Sequence, residues 1–267
     1  MPTDIKSTPV VLTIAGFDPS GGAGVLADVR TLVAFGCRPV AAITSLTFQN
    51  SKQVCGTIHQ SAKSLHDQIL PLVSEFLIAE VKIGMLPTVE LVAEVVRLLG
   101  EKAMPAPIVD PVLKSSSGYD LMKAEAREVW LSDLMPLARL ITPNIPEAET
   151  LTGISIKTEA DMLAAAVALR RRGAQAVLIK GGHLEQSSEV RDQQSQPPGP
   201  QAIDLLDDDD TVTFFRGEWI EAPTVRGTGC MLSSAIAAGL AHGESLSDSV
   251  GAAKRFVASA IRTASGS

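Results

Sequence analysis

Val10-Val11-Leu12-Thr13-Ile14-Ala15-Gly16 leads through Phe17-Asp18-Pro19-Ser20-Gly21-Gly22-Ala23 into residues 24–35, and this stretch decides the fold. Its first seven residues form a short apolar run rich in Val and Ile, the pattern of a strand buried on both faces. From Gly24 onward Val25, Val29 and Leu32 recur at helical spacing and mark one face of a helix. Residues 40–46 read as the next strand, so the unit is strand, glycine-rich turn, helix, strand.

The same alternation continues along the chain. The spacing predicts helices over 62–76, kinked at Pro71, and over 89–99, 124–137, 146–151 and 159–172. Strands are predicted at 81–86, 108–112, 140–142 and 176–180. Thr158 is placed to cap the helix that follows it and Gly173 to stop it. Apolar strands separated by helices predict an α/β fold whose parallel sheet is covered on both faces. Right-handed crossovers bring the C-terminal strand ends to one rim, where open α/β sheets bind ligands. Gly16, Gln49, Met85, Asp110, Asn144 and Lys180 fall at or just past those ends and are expected to share the rim.

Two stretches depart from this pattern. Residues 184–202 are polar, carry three prolines and are expected to form a flexible loop. Residues 203–222 read as two or three antiparallel strands that turn at 207–210 and at Arg216-Gly217. Four adjacent carboxylates at 207–210 repel one another and cannot all face one ion, so that run is read as a solvated turn. Residues 229–241 and 247–264 are helical and rich in small residues; no repeat or long linker divides the chain, and 1–267 is read as one domain.

The 267 residues carry a net charge of −7, with 45% hydrophobic and 20% charged residues. This acidic balance disfavours nucleic acid or an anionic membrane as partner. Cys37, Cys55 and Cys230 are an odd set without a C-x-x-C pair, so neither a disulfide framework nor a zinc site is expected. The first nine residues lack the order of a signal peptide and no run approaches the ~20 apolar residues of a membrane span. A cytoplasmic protein is expected. His59, His66, His183 and His242 are not spaced as metal ligands and Gly-x-Ser-x-Gly is absent, which leaves a hydrolase without support.

Five segments carry chemistry. The loop from Gly16 to Gly24 is neither a P-loop nor a well-formed Gly-x-Gly-x-x-Gly; by itself it is a tight turn as readily as a ligand loop. Arg226-Gly227-Thr228-Gly229-Cys230 stands immediately before an apolar helix. Free N–H groups there form an anion pocket, and the helix dipole is expected to lower the Cys230 thiol pKa; the alternative is a buried cysteine that serves as a small hydrophobe. Asp110-Pro111-Val112 and Thr142-Pro143-Asn144-Ile145-Pro146-Glu147 bring an Asp and a Glu to the rim. Together they fit Mg²⁺; singly, Asp110 is a turn cap and Glu147 a first-turn carboxylate. Lys180-Gly181-Gly182 places an ammonium where a polyphosphate could meet it, or a solvated lysine beside a turn.

Taken in order, Ile14-Ala15-Gly16-Phe17-Asp18-Pro19-Ser20-Gly21-Gly22-Ala23-Gly24, Thr47-Phe48-Gln49-Asn50, Lys82-Ile83-Gly84-Met85-Leu86, Asp110-Pro111-Val112, Thr142-Pro143-Asn144, Lys180-Gly181-Gly182-His183 and Gly227-Thr228-Gly229-Cys230 span nearly the whole chain. This series resembles the hydroxymethylpyrimidine/phosphomethylpyrimidine kinases of thiamine synthesis, a ribokinase-like family. Any one segment is unspecific; their order is specific. The resemblance implies a three-layer α/β/α fold with a mainly parallel sheet and a small antiparallel extension. It implies ATP-dependent phosphorylation of 4-amino-5-hydroxymethyl-2-methylpyrimidine, and then of its monophosphate, by a homodimer.

By the same resemblance Gln49 reads the aminopyrimidine edge, a task suited to a carboxamide with donor and acceptor side by side. Gly16, Ala23, Asp28, Met85 and Val112 complete that pocket. Asp110 and Glu147 organise Mg²⁺ with Asn144 nearby, and Lys180, Gly181 and Gly182 border the nucleotide. The amides of Gly227, Thr228 and Gly229 hold the charge on the transferring phosphoryl group. Cys230 stands where many sugar kinases of the superfamily carry Asp, and is expected to act as a thiolate base. Arg226 replaces a residue that is commonly His or another polar side chain in relatives; Phe17 and Phe48 are expected to narrow the ring pocket; and 184–202 falls where a nucleotide-side flap would lie. A pyridoxal or pyridoxine kinase is the nearest alternative, and a silent pyrimidine- or nucleotide-sensing protein the next. A dinucleotide-dependent dehydrogenase lacks its fingerprint.

Overall fold

Strand β1 (Val10–Phe17) pairs in parallel with β2 (Arg38–Gln49) on one side and with β4 (Ile78–Ile83) on the other. The computed structural model describes residues 8–102, 104–183, 201–208, 211–220 and 225–265. Outward from β4 lie β5 (Ile108–Val109), β6 (Leu140–Ile141) and β7 (Ala176–His183), all parallel. Antiparallel strands flank this core: β3 (Val54–His59) beside β2, and β8 (Gln201–Asp208) with β9 (Thr211–Glu218) beyond β7. Among the described residues the nine strands run in the order β3-β2-β1-β4-β5-β6-β7-β8-β9. Chain order therefore reverses between β1 and β4, and a crevice opens past the carboxyl ends of strands at such a switch point.

Side chains of β1 alternate between two apolar layers. Leu12 and Ile14 join the core under α2 (Ala62–Glu75), α3 (Val89–Glu101), α4 (Ala124–Val129), α5 (Ile145–Thr152) and α6 (Glu159–Arg171). Val11 joins the layer under α1 (Gly24–Ala34), α7 (Thr228–Ala241) and α8 (Leu246–Ser265). Helix α7 is apolar nearly all round, as expected for a helix enclosed by neighbours; residues 232–240 are buried. The architecture is the expected three-layer α/β/α sandwich. No helix among the described residues is long and apolar enough to cross a membrane.

Several local expectations change. β3 was not anticipated: Cys55, Gly56 and Thr57 lack alternation because an edge strand needs no fully buried face. Phe48 lies half exposed over Gly56, at 3.1 Å from where a Cβ would be, so it does not narrow the ring pocket. The helix expected to run to residue 137 loses its α form after Val129, with a wide turn over Trp130–Leu134 and a tight one over Met135–Leu137. Pro136 has no N–H with which to continue the ladder. No turn forms at Arg216-Gly217, because β9 stays paired with β8 through both residues (Ile203 opposite Arg216, Ala202 opposite Gly217). The reversal between Asp208 and Thr211 is where it was expected, yet Asp207 is buried 3.8 Å from Arg170 rather than solvated. Of the expected loop, 184–200 lies outside the described residues, and Gln201 and Ala202 open β8.

Candidate active site

Asp18, just past β1, builds the first wall of the site. Its buried carboxylate accepts from the Ser20 N–H (2.8 Å), the Ser20 hydroxyl (2.6 Å) and the Ala23 N–H (3.0 Å), and so folds the glycine-rich loop on itself. The second wall is the start of α7. Gly227 adopts a left-handed φ of 72° and lies so close to the Gly22 carbonyl that a Cβ would strike it. Among the described residues no side chain caps this helix, which leaves the first-turn N–H groups to a ligand. Gly229 lets two charged groups approach: a Cβ there would be 3.1 Å from Lys180 Nζ and 3.4 Å from Asp110 Oδ2.

Between these walls is a cavity of about 230 Å³. Gly16, Gln49, Met85, Asp110, Asn144 and Lys180, the six residues expected on one rim, all line it, together with Ala23, Val112, Glu147, Phe17 and residues 226–230. A larger cavity of about 990 Å³ lies between the β8–β9 hairpin and the helices α7 and α8, lined by Phe215, Trp219, Lys254, Ala258 and others. Lys180, Val225, Thr228 and Gly229 line both. The two chambers therefore meet at the uncapped helix start.

Of the remaining expected residues, Asp28 and Gly181 line neither cavity and Gly182 lines the larger one. Asp28 is fully buried beneath the smaller cavity, accepting from Lys82 Nζ (2.9 Å to each oxygen), Thr13 Oγ1 (2.7 Å) and Ser234 Oγ (2.9 Å). Gly181 is also buried and donates its N–H to Asp204 (3.0 Å), while Gly182 lines the larger cavity only. Lys82 lines the smaller cavity although the sequence reading gave it no role. Its signal was present: a lysine inside an otherwise apolar central strand must find a buried counter-charge.

Asp110 accepts from Lys180 Nζ (2.7 Å) and from Thr142 Oγ1 (3.0 Å). Burial opposes the carboxylate, but the ammonium groups of Lys180 and Lys82 outweigh it and hold the pKa below its usual range. Asn144 and Glu147 form a reciprocal cap on α5 (2.9 and 2.8 Å), so the structural reading of Glu147 holds whatever else it does. Burial pushes the Glu147 carboxyl up to about 7; Asp110 adds to this and Lys180 opposes it. Among the described residues no cluster of three or more metal-ligating side chains forms. Asp110 and Glu147, both lining the smaller cavity, suit Mg²⁺, which takes one or two protein carboxylates and completes its shell with phosphate oxygens and water.

Cys230 differs from expectation in its charge. Its sulfur accepts from the Gly24 N–H, but burial pushes the thiol up to about 11, Lys82 pulls it down, and Asp28 and Asp110 push it further up. The resting group is a thiol, not a thiolate. The favourable end of α7 is outweighed by loss of solvent and by two nearby carboxylates.

A mainly parallel sheet whose rim joins a small polar chamber to a larger one across an uncapped, glycine-rich helix start defines a small-molecule kinase of the ribokinase-like class. Residues 18–266 match the family model described as phosphomethylpyrimidine kinase. The chain is 39% identical over 261 residues to the hydroxymethylpyrimidine/phosphomethylpyrimidine kinase of Rhizobium meliloti (strain 1021), covering 96% of this chain and 92% of that one. Its fold matches the crystal structure of phosphomethylpyrimidine kinase from Clostridium difficile 630 with a TM-score of 0.80 at 36% identity, over 95% of this chain and 100% of that one. The pyridoxal kinase of Staphylococcus aureus, in complex with AMP-PCP and pyridoxal, matches with a TM-score of 0.82 at 29% identity, over 96% and 89%. The chain belongs to the phosphomethylpyrimidine kinase family.

Proposed function

We propose that this protein transfers the γ-phosphoryl group of ATP to the 5-hydroxymethyl group of 4-amino-5-hydroxymethyl-2-methylpyrimidine, and then phosphorylates the monophosphate to the diphosphate. The observation that carries this reading is the meeting of two chambers at Lys180, Thr228 and Gly229. A ring alcohol in the smaller chamber and a nucleotide in the larger one would face each other across the first-turn amides of α7. Family membership supports the choice of alcohol.

Gln49 would receive the aminopyrimidine edge, with Gly16, Ala23, Met85 and Val112 against the ring; all five line the smaller chamber. In a loose phosphoryl-transfer transition state charge spreads over the transferred oxygens, and positioned N–H donors and ammonium groups stabilise it. The amides of Gly227, Thr228 and Gly229 and the Lys180 ammonium would do that work. Asp110 and Glu147, with Asn144 nearby, would hold Mg²⁺, which neutralises triphosphate charge when bound. Cys230 lines the chamber in which the alcohol would lie. It takes the alcohol's proton only in its ionised form, which Lys82 favours and burial opposes; reaching that form from pH 7 costs on the order of 5 kcal/mol. The amide cradle therefore carries most of the stabilisation.

The direct test is ADP formation with the aminopyrimidine alcohol and with pyridoxal, side by side. A clear preference for the aminopyrimidine is expected. A preference for pyridoxal would reverse the reading towards the second fold relative, and ligand binding without ADP would replace the kinase by a sensor. The same reading makes the protein a cytoplasmic homodimer. Leu46, Phe48 and Ile58, each more than a third exposed, share one face of the β2–β3 ribbon and offer an apolar patch to a second copy. Light scattering should give twice the chain mass, and Phe48→Glu with Ile58→Glu should halve it; a monomeric wild-type chain would end that part of the proposal.

A further inference from the structure

Arg226, one residue before the left-handed Gly227, ties the wall of the smaller chamber together. One terminal nitrogen of its guanidinium donates to the Asn50 carbonyl (2.6 Å) and lies 3.4 Å from the Ser20 hydroxyl. The other donates to Gln49 Oε1 (2.7 Å) and lies 3.7 Å from Asp18 Oδ2. The side chain is only 18% exposed, and Asp18 is itself clamped by Ser20 and Ala23. A planar fork of donors is thus fixed from two loops, a geometry that a lysine or an imidazole does not reproduce.

The chemical consequence falls on Gln49. Arginine offers only N–H groups, so the Gln49 atom that meets it must be the carbonyl oxygen. A carboxamide otherwise turns over readily and can present either end. With Oε1 held by the guanidinium, the amide nitrogen is left to donate to a ring acceptor, and the second lone pair of Oε1 remains for an amino group beside it. That order of donor and acceptor matches an aminopyrimidine, where a ring nitrogen adjoins an exocyclic amine. It does not match a hydroxypyridine edge, which has no amino group next to a ring nitrogen.

We infer that Arg226 is a positioning residue that sets the polarity of the Gln49 carboxamide and through it selects an aminopyrimidine over a hydroxypyridine alcohol. This rests on the reading of Gln49 proposed above. The test is steady-state kinetics of the full chain with the aminopyrimidine alcohol and with pyridoxal, for Arg226→Ala, Arg226→Gln, Gln49→Ala and the double variant Arg226→Ala/Gln49→Ala, with the KM for ATP as control. Arg226→Ala should raise KM for the aminopyrimidine about 10- to 100-fold, the range of a charge-assisted hydrogen bond, with kcat within about threefold. KM for pyridoxal and for ATP should stay within about threefold, and the Arg226→Ala effect should vanish in the Gln49→Ala background. Arg226→Gln, which can still bridge the loops but can face Gln49 with either end, should lose the same selectivity. Should Arg226→Ala not fold, this variant carries the test. Equal rises in KM for both alcohols, or effects of Arg226→Ala and Gln49→Ala that simply multiply, would overturn the inference while wild-type turnover of the aminopyrimidine stood. A wild-type chain inactive on the aminopyrimidine would overturn the substrate reading itself, and this inference with it.

Discussion

Cys230 shows how much of a residue's chemistry is set by groups remote from it in sequence. Its place at the cavity wall follows from its own neighbours, Gly227 and Gly229 and the start of an apolar helix. Its charge follows first from burial and then from Lys82, Asp28 and Asp110, which only the folded chain brings near. That is why the location was legible in the sequence and the protonation state was not. Cys230→Ala should unfold at the wild-type temperature and lose turnover by about 100-fold or more if the sulfur handles the alcohol's proton. Cys230→Ser should keep part of that activity by orienting the alcohol; an alanine variant with near-wild-type kcat would remove Cys230 from the reaction. A second residue, Glu80 on β4, lines neither cavity. Burial lifts its carboxyl from 4.5 to about 7, while the Val81 N–H and Arg139 work against that rise. The folded state therefore binds this proton more tightly than the unfolded state does, and Glu80's favourable contribution is complete below pH 4.5 and lost as pH rises towards 7. Glu80→Gln should add about 2–3 kcal/mol of stability at pH 8 and almost nothing at pH 4, as read by urea unfolding at both pH values. Equal effects at both would show that Glu80 is not the titrating group.

At the scale of elements, the first turn of α7 carries the most function for its length. The left-handed Gly227 swings the chain into the helix without a capping side chain, and its close approach to Gly22 locks the two glycine-rich loops together. Gly227→Ala should lower stability by about 1–3 kcal/mol, from a disfavoured φ and a clash with the Gly22 carbonyl, and should lower kcat at least tenfold. Thermal unfolding and ADP release would show both, with helix content by circular dichroism unchanged. Wild-type kcat in that variant would mean the amide cradle tolerates displacement and is not the main stabiliser. Elements such as α3, α6 and β1 were legible because each buries a regular apolar face and has a cap or glycine at its limits. β3 and the full length of β9 were not. Each takes its extended form from backbone pairing with a neighbour, and pairing partners leave no periodic trace in side chains that face solvent.

Over the whole molecule, the decisive fact is strand order. The alternation of strands and helices implies a parallel sheet, yet nothing in a single sequence says that β1 lies between β2 and β4, and that placement puts the switch point beside Gly16 and Met85. The same placement explains Lys82. From β4 it crosses beneath the cavity to Asp28 on α1, and Asp28 in turn accepts from Thr13 on β1 and Ser234 on α7. One buried charge pair thus ties four elements from opposite ends of the chain under the site. Removing the ammonium alone, in Lys82→Met, leaves Asp28 charged and buried, a loss of about 3–5 kcal/mol. Asp28→Asn should cost a similar amount by stranding Lys82. The double variant Asp28→Asn/Lys82→Met leaves neither charge behind and should recover most of the stability in a denaturant double-mutant cycle, with a coupling energy of at least about 1 kcal/mol. Strictly additive losses would show that the pair is not coupled and that each residue acts through other partners. The recovered double variant should nevertheless turn over more slowly than wild type, because Lys82 is the positive charge that opposes burial at Cys230. Stability and activity, separated in this way, would show that the ion pair was retained in the core for the site above it rather than for the fold around it.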